Sequence, residues 1–250
     1  MMASRRRTLA AAAGVLTAAA LLWAGPALAQ EFTLDFADDT GLTERALQLI
    51  ALITVLSLAP SILVMVTSFT RIVVVLSLLR TAIGLQTAPP NSVMISLALF
   101  LTFFIMAPVL TTSYEEGVQP LLAGEMELDE AFPRAAAPFR TFMMTQVREE
   151  DLMLFVDLAG AEQPEGPDDV ELRVLVPAFM ISELRRAFEI GFLLFVPFVI
   201  IDMVVASLLM SMGMMMLPPI VISLPFKLIF FVLVDGWHLI AGSLVQSFGT

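Results

Sequence analysis

The chain has 250 residues, of which 58% are hydrophobic and 15% are charged, and its formal net charge is −11. Average soluble domains contain about 45–50% apolar and about 25% charged residues, so this composition excludes an ordinary water-soluble domain and predicts a membrane protein. The absence of cysteine excludes a disulfide framework, a thiolate zinc site and an iron–sulfur cluster. With His238 as the single histidine and a strongly acidic balance, we expect no metal, no cofactor and no nucleic acid partner.

Residues 1–29 are typical of a cleavable secretory signal peptide. Three consecutive arginines precede a short Ala/Leu-rich core, and small residues lead up to Ala29. The alternative is a first membrane helix, but a core of about 16 residues is shorter than the roughly 20 that span a bilayer. We therefore predict cleavage between Ala29 and Gln30, which places residues 30–46 in the periplasm.

Hydropathy beyond this segment predicts an all-α integral membrane protein with four long apolar helices in two hairpins. The first hairpin occupies residues 47–110 and the second occupies residues 190–250. The first helix either ends at Phe69 or continues to Leu79 with a kink at Pro60. The four apolar stretches are Leu47–Phe69, Ser92–Leu110, Ile190–Met210 and Leu217–Val245.

The charges are distributed unevenly between these stretches, and this predicts the orientation. Arg71 and Arg80 lie between the first two helices without an acidic residue, so this basic loop should be cytoplasmic under the positive-inside rule. Residues 111–189 carry 17 Asp and Glu against 6 Arg, and we expect them to form a periplasmic helical region. Both ends of the mature chain would then be periplasmic.

Within this acidic region the sequence predicts an amphipathic helix and a mobile tip. Residues 139–155 place apolar side chains among charged ones at helical spacing, which suits packing on a partner helix or within this chain, and we expect packing within the chain. Residues 164–169 combine two prolines, a glycine and acidic residues, a composition typical of a turn.

Charged residues within or beside the apolar stretches are the sharpest local signal, because ionised groups at membrane depth cost several kcal/mol unless they are paired. Asp202, Lys227 and Asp235 lie inside such stretches. A charged collar at the start of the third stretch, which could also be an interfacial anchor, consists of Glu183, Arg185, Arg186 and Glu189. Of these, Arg185 and Glu189 are spaced to pair with each other on a helix. For Asp202, Lys227 and Asp235, the sequence predicts a salt bridge within the chain, polar contacts between helices or subunits, or the lining of an aqueous path.

The segment Met210–Met216 contains five methionines and is followed by Pro218 and Pro219. Paired prolines break a helix, as Pro89 and Pro90 should do in the first hairpin. Methionine adapts to changing surfaces, so the segment is either a hydrophobic turn or a compliant constriction that keeps water out of a pore.

Several long strings resemble the FliP family of flagellar biosynthetic proteins. The resemblance covers roughly Leu47–Leu110 and Val174–Phe248, and the acidic stretch between them shows no family motif. His238 stands where the family is expected to have asparagine. The matching strings are Thr67–Ile72, Pro89–Asn91, Leu99–Phe104, Pro177–Phe192, Ile201–Ser207, Met212–Pro219, Ser223–Lys227 and Val234–Trp237.

The resemblance implies a component of the flagellar type III protein export gate in the bacterial inner membrane, within the flagellar basal body, and not an enzyme. It implies about five copies of the chain with FliQ and FliR in a helical hetero-oligomeric pore that passes unfolded flagellar subunits, with FlhB and FlhA as further partners. It also implies contacts between subunits at five of the charged residues identified above: Arg185, Glu189, Asp202, Lys227 and Asp235. The implied pore seal consists of Met212, Met214, Met215 and Met216.

Two alternatives remain beside this interpretation. An injectisome counterpart of the family shares the core strings, although a signal peptide and an acidic periplasmic region favour the flagellar version. An intramembrane serine hydrolase would have to pair Ser243 with His238, and neither a G-x-S-x-G nor an S-x-x-K arrangement is present around them.

Overall fold

The computed structural model describes residues 41–161, 164, 166, 169–214 and 216–249. Every regular element in these ranges is helical, so the predicted all-α class is confirmed. The predicted signal peptide, its cleavage site at Ala29 and Gln30, and part of the predicted tip at 164–169 lie outside the described residues.

The helices are numbered here in chain order. Helices α1 and α2 are separated by the two residues Thr67 and Ser68. The elements are α1 (Gly41–Val66), α2 (Phe69–Ile83), α3 (Asn91–Ser113), a π-helical turn (Tyr114–Val118), α4 (Gln119–Leu122), α5 (Leu128–Gln146), α6 (Glu149–Ala159), α7 (Leu172–Ser211), α8 (Pro219–Leu233) and α9 (Gly236–Gln246).

Two helical segments are long and apolar enough to cross a membrane. They are Asn91–Leu122, formed by α3 with the π-helical turn and α4, and Leu172–Ser211, which is α7. Two bent pairs would each make one further crossing: Ala46–Leu58 with Pro60–Val66, and α8 with α9, which meet at 63°. Length and composition therefore allow two to four crossings, which confirms the membrane class predicted from hydropathy.

Helix α7 is much longer than the third apolar stretch predicts. It has 40 residues, which correspond to about 60 Å, whereas the hydrocarbon core of a bilayer is about 30 Å thick. Its second half coincides with the predicted Ile190–Met210, and its first half continues into the acidic region. Hydropathy misses the first half because the charges from Glu183 to Glu189 end the apolar run without ending the helix.

The predicted amphipathic helix over residues 139–155 is wrong in one respect, because the structure divides it into two helices. Helix α5 ends at Gln146 and α6 begins at Glu149, and the backbone of Val147 and Arg148 between them is extended. Residues of both helices still pack within the chain, against the first half of α7.

Helix α2 lies at the centre of the core formed by residues 56–249. Its Ile72 and Leu76 are 0% and 1% exposed and pack in a cluster with apolar side chains of α3, α7, α8 and α9. A second cluster joins α5 and α6 to α7 around Phe179. Helices α2 and α7 approach closely at Gly191, where the Cβ of any other residue would collide with Leu78.

Large apolar surfaces remain uncovered. Phe100 of α3, Phe192 of α7 and Leu233 of α8 are each more than two-thirds exposed, and many neighbours on the same helices are also exposed. Internal contacts group the chain into two compact units, with the boundary after Val55. In the first unit, the side chains of residues 46–54 on α1 are exposed. Apolar surface of this extent is typical of contact with lipid or with other subunits.

Candidate functional site

A buried ion pair between Arg71 of α2 and Glu183 of α7 joins the two central helices. Neither side chain has any solvent exposure. Arg71 Nε donates to Glu183 Oε2 at 2.9 Å, and Arg71 Nη2 donates to the other carboxylate oxygen. This bidentate geometry is the strong form of an arginine–carboxylate contact. Its hydrogen bonds offset the cost of removing each charge from water, which is several kcal/mol.

The other donors of Arg71 are satisfied by further elements. Nη1 donates to the backbone oxygen of Ser247 at 2.9 Å and contacts its hydroxyl at 3.0 Å, in the turn after α9. Nη2 also donates to Oε1 of Gln146, the last residue of α5, at 3.1 Å. Phe248 packs against the guanidinium, with Cζ 3.7 Å from the ring centroid. We refer to Arg71, Gln146, Glu183, Ser247 and Phe248 as the Arg71 cluster.

The Arg71 cluster is a structural clamp that holds α2, α5, α7 and the turn after α9 together. The predicted place of Arg71 in a basic loop between the first two helices is wrong, whereas the cytoplasmic position of that part of the chain stays a prediction. Arg71 is in the first turn of α2, and its partner Glu183 belongs to the acidic region. Arg80 stays close to the predicted loop, where its Nη1 donates to Asn91 Oδ1 at 2.6 Å. A lone arginine in a long apolar run was the signal that could have predicted a buried partner.

A second ion pair joins Asp202 of α7 to Lys227 of α8, with 2.6 Å between Oδ2 and Nζ. The Lys227 side chain is 4% exposed and that of Asp202 is 33% exposed. Lys227 Nζ also donates to the carbonyl of Ala82 on α2 at 3.3 Å, and Ser223 Oγ lies 2.5 Å from Asp202 Oδ1. Three helices therefore meet here, and for Asp202 and Lys227 the structure shows a salt bridge within the chain.

Replacing Asp202 by asparagine should destabilise the chain, because the buried ammonium of Lys227 would keep only a neutral partner. We expect the free energy of unfolding to fall by about 1–3 kcal/mol, the usual cost of leaving a buried polar group poorly satisfied. Thermal unfolding in detergent, followed by circular dichroism, measures this loss. The double variant Asp202→Asn with Lys227→Met should recover most of it, and no recovery would show that the pair is not the cause.

Three other predicted charged residues, Arg185, Glu189 and Asp235, are exposed in the isolated chain. Arg185 Nε lies 3.1 Å from Glu189 Oε1, and the two side chains are 53% and 61% exposed. Arg185 also lies near Glu150 of α6, at 3.8 Å. Asp235 is exposed and has a left-handed φ of 50° at the bend between α8 and α9, where its carbonyl accepts a hydrogen bond from the N–H of Leu239. Contacts between subunits at these positions stay a prediction.

The methionine segment, called the methionine loop below, consists of the last two residues of α7, Met210 and Ser211, and the first residues of the open connection to α8. Helix α7 ends in a Schellman turn, in which Gly213 has a φ of +74° and the N–H of Met214 donates to the carbonyl of Leu209 at 2.9 Å. A side chain other than glycine would be strained at that φ. The exposed fractions are 56% for Met210, 66% for Met212, 43% for Met214 and 98% for Met216, whereas Met215 lies outside the described residues.

Both proline pairs lie where helices begin. Pro218 precedes α8 and Pro219 is its first residue, a position in which the missing N–H costs nothing. Pro89 and Pro90 directly precede α3, which begins at Asn91. Pro89 and Pro90 therefore separate α2 from α3, and Pro218 and Pro219 separate α7 from α8.

The model of the FliP family matches residues 52–244 of the chain. The chain belongs to the FliP family. It is 67% identical over 208 residues to the flagellar biosynthetic protein FliP of Caulobacter vibrioides, covering 83% of this chain and 78% of the relative. The FliP of Bacillus subtilis is 57% identical over 201 residues, which are 80% of this chain and 91% of the relative. The FliP of Rhizobium meliloti is 50% identical over 235 residues, covering 92% and 96%.

The FliP match extends through the acidic region, in which the sequence strings show no family motif. It contains Arg71, Glu183, both partners of the second ion pair and the methionine loop, whereas the turn with Ser247 and Phe248 lies beyond it. The family assignment made from the sequence strings is therefore confirmed.

The serine hydrolase alternative is not supported by the geometry of its two residues. His238 and Ser243 both lie on α9, five residues apart. At 3.6 residues per turn, they are separated by about 140° around the helix axis, so the two side chains leave the helix in different directions. A hydroxyl nucleophile needs its base within hydrogen-bonding reach, and this pair does not provide that arrangement.

Proposed function

We propose that the chain is a pore-forming subunit of the flagellar type III protein export gate, and that it passes unfolded flagellar subunits across the bacterial inner membrane. Membership of the FliP family supports the flagellar role, since the relatives are named as flagellar biosynthetic proteins. The exposed methionine loop is the observation that carries the pore role, because a ring of apolar side chains can close a channel by excluding water.

The uncovered apolar faces of α3, α7 and α8 support assembly with further copies of the chain. A face of this kind is poorly compatible with water, and repeated head-to-tail contacts between copies build a ring or a helix. We propose FliQ and FliR as the other members of the gate, and FlhB and FlhA as neighbours in the basal body. In this arrangement the mature chain begins at Gln30, and both of its ends are periplasmic.

Co-expression with FliQ and FliR, followed by native mass spectrometry in detergent, tests the proposal. We expect a complex with about five copies of the chain, each with a mass that starts at Gln30. A stable monomer or dimer that keeps residues 1–29 would contradict both the assembly and the cleaved signal peptide.

A cell in which the gene is deleted separates the flagellar role from the alternatives. We expect loss of motility with an intact membrane, and recovery when the wild-type chain is supplied. Loss of effector secretion with normal motility would instead indicate the injectisome. The variant Ser243→Ala with His238→Ala should restore motility, since the proposal assigns neither residue a chemical step.

A further inference from the structure

The methionines of the chain fall into two groups according to exposure. Three that are buried in the core are between 1% and 5% exposed: Met94, Met106 and Met143. Met210, in the last turn of α7, and Met212, Met214 and Met216, in the connection to α8, are between 43% and 98% exposed. Elsewhere in the described ranges, Met203 on α7 is the methionine with comparable exposure, at 63%.

The backbone of the loop keeps these thioethers accessible. The left-handed Gly213 reverses the chain at the end of α7, and no atom of another element lies within 4 Å of the position that its Cβ would occupy. Pro218 then caps α8, and Pro219 is its first residue. The sequence contains no cysteine, so methionine thioethers are the oxidisable sulfur atoms of this protein.

From this exposure and composition, we propose that the methionine loop is a site of reversible oxidation, with a peroxide as the oxidant. A thioether sulfur attacks the distal peroxide oxygen, an S–O bond forms and the O–O bond breaks. With hydrogen peroxide, the thioether is oxidised by two electrons to the sulfoxide, and the peroxide is reduced to one water molecule. Methionine sulfoxide reductases return the thioether, so the modification can be reversed.

Oxidation would make polar the side chains that, under the proposed function, keep a closed channel dry. A sulfoxide is polar and accepts hydrogen bonds, whereas the thioether is apolar and flexible. A constriction that excludes water through apolar side chains would be wetted by several sulfoxides. This consequence rests on the proposed function, whereas the oxidation site itself does not.

Stepwise treatment of the purified chain with hydrogen peroxide in detergent, followed by peptide mass spectrometry, tests the oxidation site. We expect the peptide with Met210–Met216 to gain one oxygen per methionine at least about tenfold faster than the peptides with Met94, Met106 and Met143. After unfolding in guanidinium the rates should converge. Equal rates in the folded chain, or oxidation of Met203 without oxidation of the loop, would overturn the proposal.

The assembled gate in lipid vesicles tests the consequence separately. Peroxide should raise the ion leak, a sulfoxide reductase should reverse it, and a variant with leucine at 212, 214, 215 and 216 should not respond. Leucine is similar in volume to methionine and has no sulfur, so it is the matched control. Selective oxidation without a leak would keep the oxidation site and contradict the seal, whereas non-selective oxidation would contradict the oxidation site alone.

Discussion

Replacing Glu183 by glutamine should lower the free energy of unfolding by about 3–5 kcal/mol, the cost of breaking a fully buried ion pair on one side. The substitution keeps the size of the side chain but leaves the guanidinium of Arg71 without a negative partner in a site with no solvent exposure. Because a typical domain is stable by about 5–15 kcal/mol, such a loss is large enough to reduce the amount of folded chain in cells. Thermal unfolding of the detergent-solubilised chain measures the effect.

Glu189 provides the matched control on the same helix. Its carboxylate also pairs with an arginine, but its side chain is 61% exposed. Exposed pairs contribute about 0–1 kcal/mol, so Glu189→Gln should leave the unfolding midpoint almost unchanged. Equal effects of the two substitutions would show that burial of the Arg71 cluster does not determine its contribution to stability.

Replacing Met212, Met214, Met215 and Met216 by glycine should make the assembled gate leak ions and small solutes. The substitutions remove the apolar side chains that, under the proposed function, keep the closed channel dry. Ion flux from vesicles that contain the gate with its partners measures the leak, and we expect it to rise well above the level of vesicles with the wild-type gate.

Two controls separate loss of the seal from a general loosening of the loop. Alanine at the same four positions removes the side chains without the added backbone freedom of glycine, and it should also leak. Met203→Ala removes an exposed methionine of α7 outside the loop, and it should not leak. A wild-type level of flux in correctly assembled glycine and alanine variants would contradict the role of the loop as a seal.

The fold class and the positions of the helix breaks could be predicted from the sequence, because both depend on local chemistry. Apolar runs and proline pairs act over a few residues, and the structure has helices beginning at Asn91 and Pro219, beside the two proline pairs. The full length of α7 could not be predicted in this way. Glu183 of this helix pairs with Arg71 of α2, and Arg185 pairs with Glu189 one turn further along α7. A hydropathy window detects neither contact.

The candidate site could be predicted only in part for a similar reason. Asp202 and Lys227 stand out because they are charged residues in apolar stretches, but their pairing depends on how α7 and α8 pack. The sequence around Arg71 does not indicate its partner, since a positive charge near a predicted loop also fits a cytoplasmic position. Gln146, Ser247 and Phe248 are ordinary residues in the sequence, and only tertiary structure brings them to Arg71.

The residues of the Arg71 cluster lie far apart in the sequence, so the ribosome makes the partners of Arg71 one after another. Glu183 follows Arg71 by 112 residues, and Ser247 follows it by 176. At about 5–20 residues per second, a ribosome needs roughly 10–35 s to produce Ser247 after Arg71 has been made. Until Glu183 has been made, after roughly 6–22 s at the same rate, the arginine has no native partner of opposite charge, so the nascent chain must be accommodated at the membrane with this charge hydrated or held by another protein. The acceptor for Nη1 follows only with Ser247.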